Sequence, residues 1–265
     1  MSDWDVYAIS YAERVEQLQA DSLVLDADHM LRHPMDYYIW VLRRDDELIL
    51  VDTGYDTAEG TARGRPVIHE PPAALAPLGI RAEDVTQIIV THLHYDHAGG
   101  LHLFPNAILH MQEAEMAFAT GRCMCHPLLR SPFTGAHICE AVRRLYAGKV
   151  VFHDGDAEIA EGVTVHRTGG HSRGLQCVRV RTRSGWMVLA SDTSHFYENF
   201  WHDKPFAVVV DVVDALDGFA TLRRLVSRPE LIVPGHDPLV QEYFARGPAP
   251  FITRLDPGPI RAIEP

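Results

Sequence analysis

The sequence lacks the features that mark secreted and membrane-spanning proteins. No apolar run approaches the roughly 18 residues that a membrane helix needs. The first residues, MSDWDVYAIS, do not contain a basic region followed by an apolar one, so they do not resemble a signal peptide. Only four of the 265 residues are cysteine, and a chain of this size needs no disulfide staple. We therefore expect a cytoplasmic protein with reduced thiols and no membrane partner.

Positive charge is also scarce. The chain has 24 lysines and arginines against 36 aspartates and glutamates, which gives a formal net charge of −12. Because a nucleic-acid-binding protein normally has a basic surface, this balance argues against a nucleic-acid partner. No linker, charge run or internal repeat divides the chain, so we expect a single domain over residues 1–265.

The few cysteines do not form a convincing metal site. Cys123 and Cys125 lie beside His126, and Cys139 follows further along the chain. A structural zinc site usually spaces its cysteines more widely and adds a second clear pair. The spacing therefore favours ordinary free thiols, with a zinc site as the alternative.

Apolar patterns predict an α/β protein. Short runs rich in β-branched and aromatic residues predict strands at 37–43, 47–54, 85–92, 107–112, 149–153, 162–168, 175–182, 185–192 and 231–234. Helical patterns lie at 73–79, 113–120, 137–148 and 215–226. Residues 55–72 are expected to form a long loop, and the chain after residue 234 a mostly irregular tail. Two β-rich halves, each followed by helices, favour sheets sandwiched between helical layers.

A cluster of metal-binding residue types follows one of these strands. His92 and His94, in THLHYDHAGG, come directly after the strand, and alternate residues of an extended backbone face the same way. Asp96 and His97 follow, where Ala-Gly-Gly leaves room for a tight turn. Polar residues at the carboxyl ends of strands are where α/β proteins place their sites. The stretch is therefore a candidate half of a metal site.

Three more such residues lie in similar positions. His171 is in a glycine-flanked loop, Asp192 ends an apolar strand, and His236 immediately follows another. With the first four residues they supply five imidazoles and two carboxylates, enough for two metal ions if one carboxylate bridges them. A lone histidine near a strand end, such as His110, is usually an ordinary structural residue. The combination on four separate strand-end loops favours a metal site.

The same residues resemble a known family. H-x-H-x-D-H at 92–97, with the later His, Asp and His in this order, is similar to the metallo-β-lactamase superfamily. The stretch ILVDTGYD at 49–56 also looks like the first signature of that superfamily, so the resemblance covers nearly the whole chain. It implies the αββα four-layer sandwich. It also implies two bridged metal sites, with His92, His94 and His171 at one ion, Asp96, His97 and His236 at the other, and Asp192 between them.

The resemblance gives Asp52 a role as well. It implies that this carboxylate orients one of the ligand histidines, as outer hydrogen-bond partners of metal ligands commonly do. From the sequence alone, the alternative is a turn-forming aspartate in the DTG stretch.

The donor set restricts the metal and the reaction. Imidazole and carboxylate without thiolate suit Zn, Mn, Fe or Co, and two Zn²⁺ ions are our first expectation. Ions about 3.5–4 Å apart share a hydroxide, because metal binding lowers the pKa of water to about 7. With such a hydroxide, no side-chain nucleophile is required. The predicted reaction is therefore hydrolysis by a metal-bridging hydroxide.

Within the superfamily, the chain most resembles the lactone hydrolases that open N-acyl homoserine lactones and related rings. The matching stretches are HYDHAGG at 94–100, ENF at 198–200 and GHD at 235–237. The resemblance implies a metal-dependent carboxylic ester hydrolase for a small molecule, a quorum-quenching lactonase. Members of this group are often dimers, which makes a homodimer the expectation.

One position departs from those lactonases. They generally carry a tyrosine three residues after the bridging aspartate, where this chain has His195, with Tyr197 two residues later. His195 can donate a proton or a hydrogen bond there; alternatively, Tyr197 turns in, or the position only lines the pocket. His195 and Tyr197 are therefore candidate catalytic residues, together with Asp96 of the metal-binding cluster. The departure puts the substrate in question rather than the hydrolytic chemistry.

Loops around the metals are expected to build the substrate pocket. Their aromatic residues form an apolar wall or, as the alternative, pack locally under the loops. The candidate segments are 55–72, 130–135 and 196–201, with the aromatics Phe133, Phe196, Phe200 and Trp201.

Related enzymes are the main alternatives to a lactonase. A thioester hydrolase of the glyoxalase II type, or a hydrolase of another cyclic ester or amide, uses the same metal pair. A mono-iron dioxygenase is a further alternative, which metal analysis distinguishes. A nuclease is disfavoured by the acidic charge, and a non-catalytic binding module by the presence of all seven expected ligands.

Overall fold

The computed structural model describes residues 3–25 and 28–263, and its strands form two sheets. The larger sheet has the strand order β12-β13-β1-β2-β3-β4-β5-β6, and the smaller one β11-β10-β9-β8-β7. In chain order the strands are β1 (Asp5–Arg14), β2 (Met35–Arg44), β3 (Glu47–Val51), β4 (Gln87–Ile89), β5 (Ile108–Gln112), β6 (Val150–His153), β7 (Ala157–Ala160), β8 (Val163–Arg167), β9 (Gln176–Thr182), β10 (Gly185–Ser191), β11 (Ile232–Pro234), β12 (Ala245–Arg246) and β13 (Ile252–Arg254).

Helices connect the strands and cover the sheets. They are α1 (Thr57–Arg63), α2 (Pro71–Ala74), α3 (Tyr95–Ala98), α4 (Glu113–Ala119), α5 (Pro127–Arg130), α6 (Gly135–Tyr146), α7 (Tyr197–His202), α8 (Val212–Leu225) and α9 (Leu239–Tyr243). Short 3-10 turns lie at Gln19–Asp21, Ala76–Leu78, Ala82–Asp84, Leu101–Leu103, Arg122–Cys125 and Pro229–Leu231. Within the described ranges, no helix has the length and apolar character needed to cross a bilayer.

Strand β2 shows how the layers are held together. Successive side chains of a strand point to opposite faces of the sheet. Ile39 and Val41 pack into a core that also contains residues of α4 and α6. Tyr38 and Trp40 pack into a second core with residues of β8 to β11 and α8. The large sheet is therefore buried on both faces, and the expected four-layer α/β sandwich is confirmed.

Three strands of the large sheet, β1, β12 and β13, lie where the sequence pattern predicted none. Strand β1 pairs with both β2 and β13, so that Ile9 lies opposite Ile39 on one side and Ile252 on the other. Its small and polar residues give a weak strand signal, and a bulge between Ser10 and Ala12 breaks the alternation. The expectation of a mostly irregular tail is wrong at β12 and β13.

A helix also interrupts the expected loop at 55–72. The carboxylate of Asp56 accepts a hydrogen bond from the backbone N–H of Glu59, 2.9 Å away, and caps the first turn of α1. Gly64 ends the helix in the left-handed conformation with φ of 65°, a backbone shape that glycine adopts without strain. These are ordinary helix start and stop signals, but α1 is only seven residues long.

The packing between the two sheets can be tested at Trp40, which is fully buried. Trp40→Ala should lower the free energy of unfolding by about 3–5 kcal/mol, because a large cavity replaces the indole ring. Urea denaturation followed by circular dichroism measures this value. Tyr146→Ala is the control, since the Tyr146 side chain is 89% exposed, and it should change stability by less than about 0.5 kcal/mol. Equal effects of the two substitutions would contradict this account of the core.

Candidate metal centre

The seven residues predicted to bind metal meet at one end of the sandwich. Strands β3 and β4 run parallel in the large sheet, and β10 and β11 run parallel in the small sheet. His92, Asp192 and His236 lie just past the carboxyl ends of β4, β10 and β11, and all three are buried. Parallel neighbours end at the same edge of a sheet, so both sheets deliver side chains to one place.

The carboxylate of Asp192 lies at the centre of this arrangement. Its Oδ2 is 3.1 Å from His171 Nε2 and 3.7 Å from His92 Nε2. Its Oδ1 is 3.0 Å from His97 Nε2 and 3.1 Å from His236 Nε2. Each oxygen thus faces a different pair of imidazoles, the placement required of a carboxylate that bridges two ions.

Two groups of donors lie on either side of that carboxylate. Within each group, the candidate ligand atoms are within 4.8 Å of one another. They are His92, His94 and His171 in the first group, and Asp96, His97 and His236 in the second. These are the two sets that the family resemblance implied, and imidazole and carboxylate together suit divalent metals.

The electrostatics of the first group also fit a metal ion. Burial, reinforced by neighbouring imidazoles, holds the pKa of His92 and of His94 well below the usual value for histidine. A neutral imidazole keeps a lone pair free for a metal. The Nε2 atom of His92 is buried and has no hydrogen-bond partner among the described residues. A metal ion would satisfy this atom, since buried polar atoms rarely lack a partner.

Hydrogen bonds on the far ring nitrogens orient several of the imidazoles. His236 Nδ1 donates to the backbone carbonyl of Asp36 at 2.7 Å, and His171 Nδ1 donates to that of Val208 at 2.5 Å. A carbonyl can only accept, so in each ring the proton of a neutral imidazole sits on Nδ1 and the lone pair on Nε2. Both Nε2 atoms face Asp192.

Asp52 orients His97 in a similar way. Its Oδ2 lies 2.7 Å from His97 Nδ1, and the backbone N–H and the hydroxyl of Thr91 donate to the same carboxylate, each at 2.7 Å. Burial alone would lower the pKa of His97, but the charges of Asp192 and Asp52 raise it well above the usual value. The contact is the one expected of Asp52, rather than that of a turn residue alone.

Glu115 is a buried residue of this region that was not expected from the sequence. Its Oε1 accepts a hydrogen bond from the backbone N–H of Leu93, between His92 and His94, at 2.9 Å. Its Oε2 accepts from the backbone N–H of Gly174 at 2.9 Å and from the hydroxyl of Ser172. One carboxylate therefore ties the loop of the first two histidines to the loop that carries His171.

A signal for Glu115 was present in the helix pattern. Within α4, the residues Phe118 and Ala119 are three and four positions later and are buried on the same face as Glu115. A glutamate on the apolar face of a helix needs a specific partner. Gly174 is one such partner. Its backbone lies so close that a Cβ at this position would be 2.1 Å from the backbone nitrogen of Glu115.

His195 joins the centre, as its sequence position suggested. Its Nε2 lies 2.9 Å from Asp192 Oδ2, and its ring stacks on Phe206 with centroids 3.6 Å apart. Burial lowers the pKa of His195 to about 3. Together with His171 and Asp192 it forms a further group of donors within 4.8 Å. His195 can therefore donate a hydrogen bond at the centre or supply an additional ligand.

Tyr197 lies elsewhere, which argues against its expected catalytic role. Its ring packs in the second core, with centroids 5.0 Å from Trp201 and 5.4 Å from Tyr243. Phe200 lies beside the same ring. For Phe200 and Trp201, the structure supports local packing rather than an apolar wall of the pocket.

A cavity of about 360 Å³ opens onto the centre. This volume is in the range of small-molecule sites. Phe133 packs against His94, with ring centroids 4.6 Å apart, but it lies in the first core and does not line this cavity. Part of the lining lies in the expected segments, with Arg63 and Arg65 in 55–72 and Ser131 and Pro132 in 130–135. Residues outside those segments also line the cavity: Arg14, Met35, Tyr37, Tyr95, Phe206 and Val208, beside His94, Asp96, His171, Asp192 and His195.

The cysteines remain outside the candidate metal centre. All four are free, with Cys125 and Cys139 exposed. No cysteine belongs to the groups of potential metal ligands found in the described part of the chain. Free thiols are thus favoured over a structural zinc site at Cys123 and Cys125.

Asp52→Asn tests the orientation of His97. Asparagine would place an amide donor or a weaker acceptor beside His97 Nδ1, so the affinity for divalent metal should fall about 10- to 100-fold. Competition with a chromophoric chelator measures the affinity. Asp154→Asn is the control, since the Asp154 side chain is 82% exposed. Unchanged affinity in Asp52→Asn, with unchanged circular dichroism, would mean that Asp52 does not orient a ligand.

Comparisons with known proteins agree with this geometry. The family model of the metallo-β-lactamase superfamily matches residues 34–236. An N-acyl homoserine lactonase of Bacillus cereus is 32% identical over 216 residues, which cover 76% of this chain and 80% of the relative.

Solved structures are similar over most of the chain. An N-acyl homoserine lactone hydrolase with the product N-hexanoyl-L-homoserine at its catalytic metal centre has a TM-score of 0.78 at 24% identity, covering 94% of this chain and 99% of that one. A mutant of Bacillus thuringiensis AiiA with N-decanoyl-L-homoserine at its active site has a TM-score of 0.77 at 25% identity, with the same coverage. The chain therefore belongs to the metallo-β-lactamase superfamily.

Proposed function

We propose that this protein is a metal-dependent hydrolase that opens a lactone ring with a pair of divalent cations. The observation that carries the proposal is the position of Asp192, whose two carboxylate oxygens face separate groups of imidazoles. The named activity of the Bacillus cereus relative supports a lactone as the substrate. The homoserine products bound in similar structures support it as well.

The ligands of the cations are assigned from the two donor groups. His92, His94 and His171 would hold one ion, Asp96, His97 and His236 the other, with Asp192 shared. Zn²⁺ is the metal that we propose, since neutral imidazoles and carboxylates without thiolate suit it. When bound, such a pair lowers the pKa of a coordinated water to about 7 and polarises an ester carbonyl.

The protein side chains bind and orient the substrate beside these ions. Phe206, stacked on His195 and lining the cavity, gives the substrate ring an apolar surface that excludes water. His195 lies at the cavity wall and can donate a hydrogen bond to the oxygen that leaves when the ester bond breaks. We also propose that residues 1–265 act as one domain, because the centre takes residues from both sheets.

His94→Ala and Asp192→Asn test the metal assignment. Each should reduce lactone hydrolysis to background and lower the content of bound metal, while circular dichroism stays unchanged. Hydrolysis of N-hexanoyl homoserine lactone and elemental analysis provide the two readouts, and a glutathione thioester in the same assay tests the thioesterase alternative. His202→Ala is the matched control, because His202 is exposed at the end of α7. Full activity in either variant would refute the assignment.

His195→Phe tests the proposed hydrogen bond. Phenylalanine keeps the ring stacked near Phe206 but removes the N–H group, so kcat should fall about 100-fold or more while both metal ions stay bound. The measurement is kcat together with metal content. An unchanged kcat would remove His195 from the chemistry. Loss of an ion together with activity would identify His195 as a ligand rather than a hydrogen-bond donor.

A further inference from the structure

A chain of hydrogen bonds lines one side of the cavity. The guanidinium of Arg65 donates to the hydroxyl of Tyr95, and that hydroxyl donates to the hydroxyl of Tyr37 at 3.2 Å. We call these three residues the tyrosine wall. All three line the same cavity as Asp192 and His195, yet the metal assignment gives none of them a role.

Arg65 is a cation without a carboxylate partner. Of the other arginines of the cavity, Arg14 pairs with Asp21 at 3.3 Å and Arg63 pairs with Glu59 at 2.5 Å. Among the described residues, Arg65 has no carboxylate within ion-pair distance, although it is partly buried. A partly desolvated charge is unfavourable unless it is compensated.

The guanidinium of Arg65 stays charged in this position. Burial would lower its pKa, but the neighbouring hydroxyls of Tyr95 and Tyr37 and the carboxylate of Asp96 raise it. Asp96 is a predicted metal ligand and makes no direct ion pair with Arg65. The guanidinium of Arg65 is therefore available to an anionic group of a molecule in the cavity.

Tyr37 offers a second donor at the other end of the wall. Its side chain is 1% exposed, and its ring centroid is 5.3 Å from that of His236. Its hydroxyl accepts from Tyr95, and no acceptor for its own proton is found in the described part of the chain. Hydrogen bonds in series polarise one another, so the cation at Arg65 strengthens Tyr37 as a donor.

We propose that Arg65 and Tyr37 bind a negatively charged oxygen group carried by the substrate. The preferred substrates are then lactones with a carboxylate or an acidic phenol in addition to the ester that is opened. This inference rests on the proposed lactonase function and narrows its substrate class. A guanidinium and a phenol hydroxyl together bind an anionic oxygen with two charge-assisted hydrogen bonds.

The rest of the cavity agrees with a polar substrate. Two members of the apolar wall expected from the sequence, Phe200 and Trp201, pack in the second core instead. The side of the cavity formed by the tyrosine wall presents donors rather than the apolar surface that a long acyl chain needs. Ring opening would release its carboxylate beside the candidate metal ligands, and Arg65 belongs to none of those ligand groups.

The experiment compares charged and neutral lactones that share the same ring. The pairs are phthalide with its ring-carboxylated isomers, and N-hexanoyl with N-succinyl homoserine lactone. With the metal-loaded protein, kcat/KM should be at least about tenfold higher for one or more of the charged members than for its neutral counterpart. Arg65→Gln should remove that preference, mainly through KM, and leave the neutral lactones nearly unchanged. Elemental analysis should find the same metal content in the variant.

Two further variants make the test specific. Tyr37→Phe should lower the preference in part, because one of the two donors is lost. Arg14→Gln is the matched control, since Arg14 lines the same cavity but already pairs with Asp21, and it should keep the preference. Arg65→Lys should keep part of the preference, because lysine retains the positive charge but lacks the planar guanidinium of arginine.

The outcomes separate this inference from the proposed function. No preference for charged lactones, or an equal loss for charged and neutral lactones in Arg65→Gln, would overturn it. Equal loss with weaker product inhibition would instead assign Arg65 to the released carboxylate. If the protein opens no lactone at all, the proposed function fails. In that case, calorimetric titration with the phthalide carboxylates still tests the anion site. Binding that Arg65→Gln abolishes supports the site, whereas binding unaffected by Arg65→Gln, or no binding at all, overturns it.

Discussion

The structure of the centre depends on one buried carboxylate surrounded by imidazoles. Burial alone would raise the pKa of Asp192, yet the imidazoles of His195, His97 and His236 hold it well below the usual range for aspartate. A buried charge of this kind is stable only where compensating groups are already in place. The parallel ends of β10 and β11 position Asp192 and His236, and the end of β4 positions the loop of His97. The sandwich is thus the scaffold that brings these groups within contact distance.

The fold could be predicted where apolar residues follow a clear period. In β2, the alternation between the two faces and the high content of aromatic and β-branched residues make the strand evident. In β1, alanine and serine dilute the same alternation, and a bulge shifts its phase. The short helices α1 and α7 were missed because seven and six residues are too few for a helical period to emerge. Their positions depend on the tertiary contacts around them.

The candidate metal ligands could be predicted because each follows a strand that is visible in the sequence. Residues that act through distant contacts could not be found this way. Arg65 and Tyr95 are 30 positions apart, and Glu115 and Gly174 are 59 apart. For Tyr197, proximity in sequence to Asp192 was misleading, because the start of α7 turns its ring into the second core. Only the packed structure distinguishes a residue on the cavity wall from a neighbour that points away.

The position of the centre between the two sheets has a mechanical consequence. On the proposed assignment, His92 and His97 belong to loops of the large sheet, whereas Asp192 and His236 belong to loops of the small sheet. Bound cations would then link the two sheets, and the free energy of metal binding would add to the free energy of unfolding. Removing the ions would weaken the contact between the sheets at this end. The thermal stability of the protein would therefore depend on the availability of metal.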